Sequence, residues 1–277
     1  MISGTTRVAA VIGSPVHHSL SPALHNAAFD ALDVDWVYVA LHVAPGEGQR
    51  AIDAMRLLGL GGLSVTMPHK ETVAGAVDAL DPAAEALRSV NTVVPAADGT
   101  LVGYSTDGAG FVASLSAAGV SVHGRTIGLL GAGGAARAIA DALGRAGAAQ
   151  VAVINRTASS AEATAALAGR VGVVAGADAV RDADIVVNAT SVGMGSSVDL
   201  PCDPDLLRSG QVVADIVYHP RETALLRSAR SVGAIAVDGL GMLVHQAALQ
   251  QQLWHGLVPD IDVMTAAAER ELAARRQ

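Results

Sequence analysis

The sequence predicts an α/β protein built as two domains, and two observations carry that expectation. Short apolar β-type runs alternate with Ala-rich helical stretches, the pattern of parallel strands joined by crossover helices. The alternation also starts twice, at Arg7 and again at Thr126, with no Pro/Ser-rich linker between the two series. At 277 residues the chain can bury one large core or two medium ones.

The elements follow in order. Arg7 to Ile12 reads as a strand entering the loop Gly13-Ser14-Pro15. A helix is expected from Ser21 as N-cap, with Pro22 at its first position, to about Leu32. Trp36–Leu41 is the second strand, Glu47–Leu58 a helix and Leu63–Thr66 a short third strand. Ala83–Leu87 reads as helical, and Thr92–Val94 and Leu101–Tyr104 as strands paired about Asp98-Gly99. A helix over about 107–118 precedes the second series. That series has strands at Thr126–Leu130, Val151–Ile154, Val171–Val174, Ile185–Asn188, Val212–Asp215 and Ala234–Val237, with a helix over Gly134–Gly147. Two helices, about Leu240–Leu257 and Ile261–Arg275, close the chain.

Composition excludes several classes of function. Apolar residues make up 51% but aromatics only 3%, so the core must come from Ala, Val, Leu and Ile. A net charge of −8 argues against a general nucleic-acid surface, which needs clustered cations. The single cysteine, Cys202, excludes internal disulfides and suits a reducing compartment. No signal peptide or membrane span is read, so a cytoplasmic protein, monomer or homodimer, is expected. His17, His18, His69 and His245 have no metal-ligand spacing, and no metal is expected.

Ile127 to Ala136 is an apolar strand running into G-x-G-x-x-A and then a helix. Gly131 allows the tight turn, Gly133 lets the backbone approach a pyrophosphate, and Ala136 keeps helix and strand close. Ala132, Gly134 and Ala135 complete a helix N-terminus that offers N–H groups to an anion. This is a dinucleotide-binding turn, so the second series is expected to be a Rossmann-like domain. The next strand ends Asn155-Arg156-Thr157, without the acid that holds an unphosphorylated ribose. Arg156 suits a 2′-phosphate, which points to NADP.

The first series carries small polar residues on loops after strands. Ser19 and Ser21, at i and i+2 before a helix, form a cradle suited to a carboxylate. Thr66 and Lys70 follow the third strand, and Asn91 and Asp107 add an amide and a carboxylate. Lys70 is the one lysine among seventeen arginines. An ammonium can release a proton, whereas a guanidinium, with a pKa above about 12, cannot.

Together these segments resemble the shikimate dehydrogenase family, in order and over nearly the whole chain. The resemblance extends to Asn188-Ala189-Thr190-Ser191, to Asp215 through Pro220, and to Asp238 through Ala247. It implies an open α/β substrate domain of residues 1–105 plus 240–277, a Rossmann-like NADP-binding domain of 106–239, and a cleft between them. It also implies NADP-dependent, reversible reduction of 3-dehydroshikimate to shikimate, with Lys70 and Asp107 as the acid–base pair. Ser19 and Ser21 would hold the substrate carboxylate, and Thr66, Asn91, Tyr218 and Gln246 would complete the polyol pocket. Ile216 and Gly239 would flank the nicotinamide. Ser64 and Ser105 stand where the family usually has Asn, which leaves quinate or an aminoshikimate as alternative rings. Ser159 and Ser160 occupy the stretch where many NADP-specific members carry a second Arg, which leaves NAD as a secondary cofactor. A non-catalytic NADP- or metabolite-binding regulator is the competing class. The Lys70/Asp107 pair argues against it, because a sensor needs no proton donor.

Overall fold

The computed structural model describes residues 2–275, so Met1, Arg276 and Gln277 of the expected domain ranges lie outside the described residues. The chain divides into two compact units, one of residues 1–106 with 244–277 and the other of 107–243.

The first unit is built on β1 (Arg7–Gly13), β2 (Trp36–His42), β3 (Gly62–Val65), β4 (Ala79–Leu80), β5 (Thr92–Pro95) and β6 (Leu101–Tyr104). They form one sheet in the order β2-β1-β3-β5-β6-β4. β1 pairs parallel with β2 and β3, whereas β5 pairs antiparallel with β3 and with β6, as the Asp98-Gly99 turn predicts. The helices here are α1 (Ser21–Ala31), α2 (Gly48–Leu58), α3 (Lys70–Ala74) and α4 (Pro82–Leu87).

The second unit holds α5 (Asp107–Ala117), β7 (Thr126–Leu130), α6 (Gly134–Arg145), β8 (Gln150–Ile154), α7 (Ala158–Leu167), β9 (Gly172–Val174) and α8 (Ala179–Asp182). It continues with β10 (Ile185–Asn188), β11 (Val212–Asp215), α9 (Ala224–Ser231) and β12 (Ile235–Val237). Its sheet, β12-β11-β10-β7-β8-β9, is wholly parallel. α10 (Leu240–His255) carries the unit boundary between Leu243 and Val244, and α11 (Ile261–Ala274) packs on α1 in the first unit.

Each unit has an aliphatic core, as the low aromatic content requires. Ile52, Met55, Leu63, Val65, Val90 and Val93 fill one, and Ile127, Leu129, Ile139, Leu143, Val151 and Ile185 fill the other. The few aromatics concentrate at one place. Tyr38, Phe29 and Trp254 bury together against β1, and the Trp254 indole N–H donates to the Val93 carbonyl (3.1 Å). Gly62 leaves room for that indole; a Cβ there would stand 2.5 Å from it. No helix among the described residues is long and apolar enough to cross a membrane.

The structure departs from the sequence reading at the start of α1 and in five further elements. Ser21 is the first helical residue of α1, not its N-cap. Leu20 takes the cap position with helical backbone angles and no side-chain cap bond. α3 and β4 were not foreseen, nor were α7, α8 and α9. Lys70 therefore opens a short helix instead of lying on a loop.

His25 of α1 is fully buried and stacks flat on Tyr38, with ring centroids 4.1 Å apart. Its Nδ1 accepts from Gln251 Nε2 (3.1 Å), and its Nε2 has no partner among the described residues. Burial lowers its pKa from 6.5 to about 3, so the ring is neutral. Between those values the unfolded chain takes up a proton that the folded chain refuses. Stability conferred by the neutral ring is therefore lost as pH falls below 6.5, at up to ~1.4 kcal/mol per pH unit. Denaturant unfolding at about pH 7 and about pH 5 should show this loss in the wild-type protein and a shallower one in His25→Phe. Equal losses in both proteins would rule out His25 as the source.

Candidate active site

In the first unit, the candidate substrate residues come from loops and helix starts at one end of β1, β3 and β6. The backbone N–H of Ser21 donates to Ser19 Oγ (3.2 Å), so the two serines meet at the start of α1. Because Leu20 takes the cap position, the Ser21 hydroxyl is not spent on capping. Just past α11, Arg275 donates to the carbonyl oxygens of His18 (2.5 Å) and Ser19 (3.1 Å) and pins this loop.

The Thr66-to-Lys70 turn is held against β1 by two main-chain bonds, Ser14 N–H to Met67 O (3.0 Å) and Thr66 N–H to Ile12 O (2.9 Å). His69 is buried beneath it, with Nε2 at 2.9 Å from the Val43 carbonyl oxygen. That explains the histidine beside the lysine as a packing and hydrogen-bonding residue. Lys70 follows, half-buried at the N-terminus of α3.

The segment 90–91 bonds to the main chain at both Lys70 and Thr106. Val90 N–H donates to the Lys70 carbonyl oxygen (3.0 Å). The side chain of Asn91 accepts from the Thr106 N–H (2.9 Å) and donates to Thr106 Oγ1 (2.9 Å), while Thr92 Oγ1 donates to Asn91 Oδ1 (2.8 Å). Thr106 is the residue before Asp107. Consecutive residues of one strand entry thus hold the main chain at Lys70 and at the neighbour of Asp107.

Gln246, the remaining candidate in this unit, is buried on α10 and accepts from Gln250 Nε2 (2.9 Å) through its side-chain oxygen. Tyr38 and Gln250 were not singled out from sequence. The spacing of Gln246 and Gln250, four residues apart on α10, was the available signal for Gln250. Nothing in the half-apolar run of β2 marks Tyr38.

In the second unit, Asp107 is the first residue of α5. Gly131 takes a positive φ of 109°, and a Cβ there would meet Thr190 Cγ2 at 2.9 Å and the Ala189 carbonyl oxygen at 3.1 Å. Its N–H donates to the Ile154 carbonyl oxygen (2.9 Å), closing the turn against the end of β8. α6 begins at Gly134 after an extended Gly133, with no side-chain cap, and a Cβ on either glycine would meet nothing within 4 Å. An uncapped helix start with open space above it fits a pyrophosphate. Asn155 Nδ2 donates to the Thr157 carbonyl oxygen (3.1 Å), ordering the turn from which Arg156 projects, exposed. That turn fits a 2′-phosphate.

Ile216 and Gly239 are brought together: a Cβ on Gly239 would overlap the Ile216 carbonyl. Tyr218 stands two residues on, half-buried. A buried network holds this loop. Asp215 accepts from Asn188 Nδ2 (2.9 Å), Thr223 Oγ1 (2.7 Å) and the Val217 N–H (3.0 Å). Asn188 Oδ1 in turn accepts from Thr190 Oγ1 (2.7 Å). Burial raises the Asp215 pKa despite these donors, and the carboxylate joins the loops after β10 and β11. Cys202 is a bystander: burial, with Asp203 beside it, raises its thiol pKa to about 11.

Comparison with known proteins identifies the family. The family model of the shikimate dehydrogenase substrate binding domain matches residues 11–93, and that of the shikimate 5′-dehydrogenase C-terminal domain matches 239–269. Between them, the model described as NADP oxidoreductase coenzyme F420-dependent matches residues 126–218, which include the dinucleotide turn. A shikimate dehydrogenase (NADP(+)) of Rubrobacter xylanophilus is 46% identical, with 98% of each chain covered. A shikimate dehydrogenase solved in complex with NADP+ superposes with a TM-score of 0.93 at 38% identity, over 98% of each chain. That of Thermus thermophilus, solved with NADP(H) and shikimate, gives 0.89 at 36% identity, over 96% of this chain and 100% of its own. On identity and coverage of this extent, the chain belongs to the shikimate dehydrogenase family.

Proposed function

We propose that this chain is an NADP-dependent oxidoreductase that reversibly reduces 3-dehydroshikimate to shikimate. Beyond family membership, the observation that carries the reading is the tie through residues 90 and 91. It holds the only lysine of the chain and the residue before Asp107 in one hydrogen-bonded frame.

Bound NADPH supplies the hydride, and Gly131, Ala132, Gly133, Gly134 and Ala135 would hold its pyrophosphate, with Asn155, Arg156 and Thr157 at the 2′-phosphate. Reduction of the C3 carbonyl leaves an electron pair on its oxygen. Lys70 stabilises that charge and transfers a proton from Nζ, so that an O–H bond forms as an N–H bond breaks. The neutral amine then takes a proton from solvent. Asp107 orients the lysine between turnovers. Ser19 and Ser21 receive the ring carboxylate, Thr66, Asn91, Tyr218 and Gln246 the hydroxyls, and Ile216 and Gly239 the nicotinamide. The single unreactive cysteine suits a cytoplasmic setting, with the protein acting as a monomer or homodimer.

Reduced-nicotinamide absorbance measured with shikimate and quinate, each with NADP+ and NAD+, tests the reading. Shikimate with NADP+ should give the highest kcat/KM. Preferential turnover of quinate would reassign the ring, a result for which the serines at 64 and 105 provide the motive. Absence of turnover on either ring would return the chain to a binding role.

A further inference from the structure

Four buried side chains of the first unit form one directed run of hydrogen bonds that ends on a proposed substrate residue. Tyr38 Oη on β2 donates to Ser64 Oγ on β3 (2.7 Å), and Ser64 Oγ donates to Gln250 Oε1 on α10 (2.7 Å). One helical turn back, Gln250 Nε2 donates to Gln246 Oε1 (2.9 Å). Ser64 is also one of the two positions that left the identity of the ring open.

A hydroxyl has one proton to give, and a side-chain amide has an acceptor end and a donor end. The direction of each bond in the run therefore dictates the next. Gln246 turns Oε1 toward Gln250, so Nε2 is the end of its amide directed away from that partner. With the run reversed, Gln246 Nε2 would donate to Gln250, Gln250 Nε2 to Ser64, and Ser64 to Tyr38. The Tyr38 proton would then lose Ser64, the acceptor it has here. Burial raises the Tyr38 pKa, so the phenol cannot escape by shedding that proton. A buried donor stripped of its acceptor is costly, and the run holds the Gln246 amide one way round.

We propose that Ser64 and Gln250 are positioning residues that fix which end of the Gln246 amide meets the ligand, and so select a ring substituent that accepts a hydrogen bond. A hydroxyl oxygen accepts from Nε2. An ammonium has donors and no acceptor, and it fits at that position only if the whole run reverses. The ring favoured is a polyol and not its amino counterpart. This deepens the shikimate reading, on which the placing of Gln246 at a ring hydroxyl rests, by deciding between two of the rings that Ser64 left open.

The test compares dissociation constants, by titration calorimetry, for shikimate and for its analogues with an amine in place of the C4 or the C5 hydroxyl. At about pH 7 the amine is protonated. The wild-type protein should favour the hydroxyl by about tenfold or more at the position that Gln246 reads. Gln250→Met, which removes the amide from a side chain of similar length, should cut that preference by about tenfold, and so should Ser64→Ala. The two changes combined should do no more than either alone, because they break one run. Tyr38→Phe also removes a buried hydroxyl, yet it leaves Ser64 its proton and Gln250 as the acceptor, so the preference should survive. A merely structural role would make the two hydroxyl variants alike. Equal losses in Tyr38→Phe and Ser64→Ala, or a wild-type protein indifferent to hydroxyl and ammonium at both positions, would overturn the positioning role while shikimate turnover stood. Failure of the wild-type protein both to bind and to turn over shikimate would overturn that reading as well.

Discussion

Lys70→Ala should lower kcat for 3-dehydroshikimate reduction by about 10²–10⁴-fold, the usual worth of a positioned proton donor, with a much smaller change in KM. The reasoning starts from composition. Seventeen of the eighteen Lys and Arg cations are Arg, so this chain does not keep lysine for surface charge. The one it keeps opens α3, directly after a turn anchored to β1 on one side and to Val90 on the other. A group placed so firmly has little freedom to seek surface ion pairs. Lys70→Arg is the more discriminating variant, because the charge survives while the proton is held about two pKa units or more tighter. It should bind substrate nearly as well as wild type and still fail to turn it over. Steady-state kinetics with saturating NADPH distinguish the cases. Near-normal kcat in Lys70→Ala would remove the lysine from the chemistry, and near-normal kcat in Lys70→Arg would reduce its role to electrostatics.

How far the sequence could be read depended on length and on locality. Every strand of the second sheet was legible, because fully covered parallel strands are runs of Val, Ile and Leu bounded by glycine or polar residues. β4 and α3, with two and five residues, are too short for a period to show. α7 (Ala158–Leu167) is made largely of small residues and carries no apolar stripe. The Ser21-Pro22 pair was a fair helix-start signal but could not say which residue capped. The helical backbone of Leu20, φ −86° and ψ −11°, decided that. Local motifs exposed the candidate site in the same uneven way. The glycine turn, Arg156 and Lys70 carry their chemistry in adjacent residues and were visible. Tyr38 and Gln250 both bond to Ser64, a partner that only folding brings close, so they were not.

Arg156→Asp should invert cofactor preference, lowering kcat/KM for NADPH by about 100-fold or more and raising it for NADH. One charge-assisted contact accounts for about 1.5–3 kcal/mol, or roughly 10- to 100-fold. The new carboxylate adds repulsion toward a phosphate and supplies the group that ordinarily holds an unphosphorylated ribose. The turn also explains how one arginine can serve where two are common. α7 starts immediately after Thr157 with no side-chain cap, so the main-chain N–H groups of its first turn, with Ser159 and Ser160 on it, would be available to the same anion. If the helix start shares the phosphate with Arg156, removing the guanidinium alone costs less than reversing its charge. Arg156→Ala should therefore lower NADPH efficiency by only about tenfold, well short of Arg156→Asp, and leave NADH almost unchanged. Equal losses in the two variants would put the whole discrimination on the guanidinium. An unchanged NADPH/NADH ratio in Arg156→Asp would show that the 2′-phosphate binds elsewhere.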